Sequence, residues 1–413
     1  MKVTAPLTYS APTGPHPVGV CDADFTDTVY PPVRVEEADG RRCSVRIWYP
    51  AASALGERRR YFTDTEMAVA GLFMSGEPPR VPTSWMQRLG ELVTYSVIDA
   101  PPASATFPTL IFSHGLGSYL GQNVALMEHL ASHGYVVLGL GHPGESGGLE
   151  YPDGSVATVA EDFTVALADL ASIPGAMERI TGDVATRLAL TRLNVNEGIL
   201  APWSQRWVDD TRALIDALEG AVVTGLSAGV LALCDLDHIG VFGMSFGAAA
   251  AASTAQADAR VRAVVNLDGG QNLADLLDAD IRLPLLELTH DLFARFTGTG
   301  IAPQALHYNE FFFEPLATTG TRPDVVRLRI PDVAHMELMD LSFFPSDERA
   351  QAISGGGLVD GDRLNAIMNT FVCAYFDYVL KDVANGYPEA QLEKFPELKR
   401  VDLSPLRDWA ARH

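Results

Sequence analysis

From residue 109 onward the chain alternates short apolar runs with longer amphipathic stretches. TLIFSHG (109–115), YVVLGLGH (135–142), HIGVFGM (238–244), AVVNLDG (263–269), PLLELTH (284–290) and VVRLRIPD (325–332) are each rich in Val, Ile, Leu or Phe and end in polar or turn residues. They are apolar throughout instead of alternating, which is how strands read when both faces of a sheet are covered. Helical spacing separates several of them. NVALMEHLASHG (123–134) closes on Gly134, WVDDTRALIDALEG (207–220) follows later, and GDRLNAIMNTFVCAYFDYVLKDV (361–383) puts Leu364, Ile367, Met368, Phe371, Val372, Tyr375, Phe376, Val379 and Leu380 on one stripe. Upstream, residues 1–43 predict an irregular entry with one strand. SVRIWYP (44–50) alternates like an edge strand, a helical excursion holds Met67, Leu72 and Trp85, and ELVTYSVIDA (91–100) supplies a further strand. The fold class this predicts is α/β, with a mostly parallel central sheet and helices on both faces.

Two segments break the rhythm. Residues 143–206 predict a helical cap or lid, interrupted at Pro174 and Pro202. Residues 291–323 form a second insertion near the strand ends, holding Phe293, Phe296 and the triplet Phe311, Phe312 and Phe313. Insertions at such positions form substrate walls, or their aromatics pack beneath a loop. The expected organisation is one domain over 1–413 with these two insertions.

Composition narrows the function without naming it. A net charge of −22 repels nucleic acid and anionic lipid surfaces, so neither is an expected partner. No apolar run approaches a membrane span, and no apolar signal segment follows Met1, so the expected location is cytoplasmic. Cys21, Cys43, Cys234 and Cys373 form no C-x-x-C pair, which predicts reduced structural thiols and no metal. Oligomeric state is not legible.

The chemistry concentrates in IGVFGMSFGAAAAA, residues 239–252. A strand enters Gly-Met-Ser-Phe-Gly and an alanine-rich helix leaves it. That junction strains the central backbone, raises Ser245, and aims the Phe246 amide and the helix N-terminus at the place where an oxyanion would develop. A nucleophilic serine needs a base. Four of the ten histidines follow Ser245: His290 ends a strand, His307 lies in an insertion, His413 is the last residue, and His335 sits on the loop after the last apolar run, which makes it the candidate base. For the carboxylate, Asp268 and Asp291 end neighbouring strands and chemistry alone leaves both open. TLIFSHGLGS supplies a second amide donor at Leu116, between Gly115 and Gly117. His114 is expected to orient that loop beside the substrate site, Met244 to floor the pocket, and Glu145, in GLGHPGE after a strand, to touch substrate. GLGHPG also fits a dinucleotide fingerprint, but ESGG follows it where a helix should start. His129 and His133 have zinc-compatible spacing without an evident third ligand, and read as a solvated helix face.

The pieces GPHPVGV, VRIWYPA, LIFSHGLGS, LASHGYVV, GMSFGAAA, VVNLDGG and AHMELMD, in this order, resemble the α/β-hydrolase branch of plasma-type platelet-activating factor acetylhydrolases and their bacterial relatives. The resemblance implies hydrolysis of a short or modified acyl ester without cofactor or metal. It implies oxyanion amides at Leu116 and Phe246, and the acid at Asp268, 23 residues after Ser245. The family usually carries His where this chain has Met244, and no lipid-surface helix is evident near the N-terminus. Both departures count against a phospholipid substrate. A thioesterase, acyltransferase or lactone-forming or lactone-opening enzyme using the same acyl-enzyme is the alternative.

Overall fold

The computed structural model describes residues 6–29, 40–74, 81–169, 175–270, 274–292, 296, 299–301 and 304–413. Phe293 and Pro174 lie outside them. Eleven strands form one sheet: β1 (Val18–Asp27), β2 (Arg41–Pro50), β3 (Arg58–Arg60), β4 (Val93–Ile98), β5 (Phe107–Ser113), β6 (Val136–Leu140), β7 (Cys234–Met244), β8 (Val261–Leu267), β9 (Leu285–Thr289), β10 (Val325–Arg329) and β11 (Lys399–Arg400). Their spatial order is β11-β10-β9-β8-β7-β5-β6-β2-β1-β4-β3. The six strands from β10 to β6 run parallel to one another, while β2 joins β6 and β11 joins β10 antiparallel.

Both faces are covered, as the unbroken apolar runs require. In β5, Leu110 and Phe112 enter the core beneath the helices α1 (Val124–Ser132) and α4 (Gly361–Leu380). Ile111 points into the opposite core, beneath α2 (Ala201–Glu219) and α3 (Phe246–Ala257). The period-2 split sends alternate residues of one strand to separate cores. The α4 stripe buries Leu364, Ile367, Met368, Phe371, Val372, Tyr375, Phe376 and Leu380, and its N-terminus is capped by Asp360 accepting from the Arg363 amide.

Two expectations change. The predicted edge strand, β2, is an interior strand between β1 and β6, with nearly every residue buried. Its alternation misleads because its polar members are buried through pairing: Arg46 reaches Asp22 and Glu66, and Arg41 reaches Asp210. Pro202 does not break a helix. It occupies the first turn of α2, where its missing N–H is not needed, so that helix begins six residues before Trp207. The preceding part of 143–206 holds a small hairpin (Leu149–Glu150 with Val156–Ala157) and the helices Glu161–Asp169, Glu178–Thr181 and Val184–Glu197. No helix among the described residues is long and apolar enough to cross a membrane.

Candidate active site

The junction of β7 and α3 holds Ser245 at φ 57°, ψ −120°, a backbone conformation that disfavours a side chain. The flanking glycines are sterically required. A Cβ on Gly243 would meet the Gly247 carbonyl carbon at 2.4 Å, and one on Gly247 would meet the Ser113 carbonyl oxygen at 2.1 Å. Only hydrogen at both positions lets the helix start pass between β7 and β5. The Ser245 amide donates to the Leu267 carbonyl at 2.8 Å, tying the turn to the end of β8.

At that strand end Asp268 also takes positive φ, 60°, and its carboxylate faces back across the turn. Its Oδ2 accepts from His335 Nδ1. Since Nδ1 then carries the hydrogen, His335 Nε2 is free to accept from the Ser245 hydroxyl, 3.0 Å away. His335 opens a short 3₁₀ turn, His335–Leu338, just beyond β10, and is about one-third exposed. Burial opposes a charge on Asp268, yet the imidazoles of His290 and His335 hold its carboxyl well below the ordinary carboxylate range. Asp291 faces elsewhere: its carboxylate accepts from the Asp332 amide at 3.2 Å and closes the loop after β10.

Sequence reasoning missed His290. It is buried at the end of β9, and its Nδ1 donates to the same Asp268 oxygen that receives His335. Its ring lies edge-on to His335, 5.6 Å between centroids. No local motif announces this contact. It exists because β8 and β9 are adjacent and in parallel register, which sets the ends of both strands side by side.

The loop after β5 completes the floor. Gly115 N–H donates to Gln122 Oε1 at 2.9 Å and Gly117 takes φ 63°, so the chain turns inward at Leu116. A cavity of about 360 Å³ opens over Ser245 and His335. Leu116, Gly115, Ser118 and Gln122 line one side, and the rest is largely methionine: Met74, Met244, Met336 and Met339. Met244 lines this cavity beside Ser245. Phe246 is buried and meets the Trp207 ring edge-on at 4.8 Å, which anchors the first turn of α3.

His114 and Glu145 do not reach this cavity. His114 is fully buried; its Nδ1 donates to the Gly115 carbonyl at 2.7 Å, leaving Nε2 to accept from the Ser146 hydroxyl at 2.7 Å. It does orient the loop, from behind. Burial, with help from neighbouring His142, pushes its pKa down to about 3. The unfolded chain therefore binds a proton that the folded chain refuses, and stability falls as pH drops from 6.5 toward about 3. Thermal unfolding across that window is expected to depend less steeply on pH in His114→Gln than in the wild type. Equal slopes would assign the acid lability to other groups.

Glu145 is buried in an ion cluster, pairing with Arg41 and with Arg206 at 2.7 Å. Arg41 also binds Asp210 at 2.8 Å, and Asp210 accepts from His142, whose ring stacks on Trp207 at 3.8 Å. Burial opposes ionisation of Asp210, but Arg41 and His142 hold its pKa at about 2. The motif that suggested a substrate contact is thus a buried strut behind the loops around Ser245. Glu145→Ala, leaving Arg41 short of one partner, is expected to cost about 3–5 kcal/mol of stability, read by denaturant unfolding, with KM unchanged. A raised KM at unchanged stability would restore the substrate role. Phe311, Phe312 and Phe313 are likewise fully buried in the core under β9 and do not line the cavity over Ser245.

A sheet of this order, with a strained serine after the central strand and a histidine and aspartate on later strand ends, defines the class: the chain has the α/β-hydrolase fold. Residues 3–172, a little under half of the chain, match the family model described as platelet-activating factor acetylhydrolase, isoform II, in keeping with the resemblance carried by the motifs. That match includes the Leu116 loop and ends before Ser245. Among solved structures, the ferulic acid esterase from Streptomyces cinnamoneus is similar over 96% of this chain and 100% of its own, with a TM-score of 0.67 and 21% sequence identity. No curated protein matches the chain.

Proposed function

We propose that the chain is a serine hydrolase of carboxylic esters. Ser245 Oγ attacks the acyl carbon while His335 Nε2 takes its proton. Asp268 holds the imidazole in the tautomer that can accept and stabilises the imidazolium that forms. The amides of Leu116 and Phe246 receive the developing oxyanion. His335 then returns its proton to the leaving alkoxide, and water enters by the same base to release the acid. His290 acts through Asp268 as a positioning residue. The observation that carries this reading is the unbroken hydrogen-bond chain from Ser245 through His335 to Asp268 at a strained strand-to-helix turn.

The cavity supports a compact, apolar acyl group. Its volume is at the small end for ligand pockets, and four thioethers offer a polarisable, adaptable wall. The family match and the esterase similarity support the same bond type. The test is hydrolysis of p-nitrophenyl esters from acetyl to dodecanoyl. Turnover is expected to peak at short chains and fall with length; a maximum at dodecanoyl would overturn the compact-pocket reading while leaving the nucleophile in place.

A further inference from the structure

We propose that the chain carries a zinc site, built by His129, His133 and Cys373 with Asp377 beside them, where α1 and α4 pack together. His129 and His133 stand one turn apart at the C-terminal end of α1, and Cys373 and Asp377 stand one turn apart on α4. One ligand atom from each of His129, His133 and Cys373 lies within 4.8 Å of the other two. The sequence alone offered no third ligand and suggested a solvated helix face. The structure corrects this, since His129 and Cys373 are both buried and half-buried His133 leaves an entry path.

The donor chemistry suits zinc. Two imidazoles and a thiolate are borderline-soft ligands of the kind that bind it tetrahedrally. Tetrahedral bonds of 2.0–2.3 Å need donors about 3.5 Å apart, so a contraction of about 1 Å closes the cluster. Asp377 Oδ2 lies 3.7 Å from Cys373 Sγ, placed to be the fourth ligand or to hold a ligating water. Its Oδ1 accepts from the Tyr135 hydroxyl at 2.8 Å, an outer contact that orients it. The α1 C-terminus favours a cation. The opposing charge is Lys381, 3.0 Å from Asp377, which also donates to the His133 carbonyl at 2.8 Å. No hydrogen bond engages the His129 ring among the described residues, whereas His133 Nε2 meets Thr13 Oγ1 at 3.1 Å. On binding, both imidazoles donate lone pairs, the Cys373 S–H bond breaks, its electron pair forms the Zn–S bond, and the proton leaves to solvent. No redox change occurs.

The site lies at the far end of α1 from Gln122, which lines the cavity, about 15 Å away at the helical rise. Its role would be to clamp α1 onto α4, not to serve turnover. The test uses the full chain stripped with chelator and titrated with cobalt(II). One equivalent is expected to give a thiolate-to-cobalt charge-transfer band and the visible bands of tetrahedral cobalt, to be displaced by zinc, and to raise Tm. Cys373→Ser should abolish the charge-transfer band, and Asp377→Asn should weaken binding about 10–100-fold. His133→Ala, at a half-buried position, should lose the tetrahedral spectrum while ester hydrolysis stays unchanged. Absence of the band in the wild type, its persistence in Cys373→Ser, or binding abolished only by His290→Gln would each overturn the proposal. The last outcome would place the ion on Asp268, His290 and His335, whose ligand atoms also lie within 4.8 Å of one another.

Discussion

Replacing Ser245 by Ala is expected to lower kcat for a p-nitrophenyl ester by a factor on the order of 10⁶. The residual rate should equal that of the same protein lacking His335, because the two groups act as one unit and removing either removes the acyl-enzyme route. Ser245→Gly makes a sharper test, since it couples activity to stability. Ser245 sits at φ 57°, ψ −120°, a conformation that costs a residue with a Cβ roughly 1–3 kcal/mol. Glycine relieves that strain and loses about 0.4–1 kcal/mol to the greater freedom of its unfolded chain. The net expectation is a protein about 1 kcal/mol more stable and as inactive as Ser245→Ala. Denaturant midpoints measured beside turnover would check this. An inactive variant no more stable than the wild type would mean that the surrounding turn relaxes with the side chain.

Asp268→Asn is expected to reduce kcat by about 10⁴-fold, and Asp291→Asn to leave it unchanged. The asparagine amide can donate to His335 Nδ1, which drives the ring into the tautomer with hydrogen on Nε2. That nitrogen then faces the Ser245 hydroxyl as a second donor and cannot take its proton. The Asp291 carboxylate instead accepts from the Asp332 amide, in the loop after β10. His290→Gln should fall between the two and act on kcat more than on KM, because it alters how Asp268 is held and does not touch the cavity. Equal effects of the two Asp substitutions, measured by steady-state kinetics, would break the assignment of the acid. A larger effect at Asp291 would reverse it.

The local signals behind these assignments were short-range. Gly243, Ser245 and Gly247 were legible because a strand-to-helix turn demands small flanks within five residues, and the close approaches of their backbones bear that demand out. The strands of the parallel block were legible because burial on both faces removes polar residues from the run itself. The failures share the opposite feature. Arg46 made β2 look half-exposed, although it is buried beside carboxylates distant in sequence. Glu145 looked like a mouth residue because its partner Arg41 stands more than a hundred positions earlier. His129 looked solvated because Cys373 belongs to the last long helix.

The chain by itself thus determined the α/β layering, the position of the serine, and a short list of histidines and carboxylates that could serve it. Those follow from periodicity and turn sterics, which act between near neighbours. Only the tertiary structure set Asp268, and not Asp291, against His335, added His290 to the same carboxylate oxygen, moved His114 and Glu145 behind the loops they were expected to front, and brought two histidines and a cysteine of two helices within reach of one another. Those facts depend on which strand ends and helix faces are adjacent. Burial in a low-dielectric interior then obliges each polar group to find its partner across the fold, at sequence separations that no local pattern encodes.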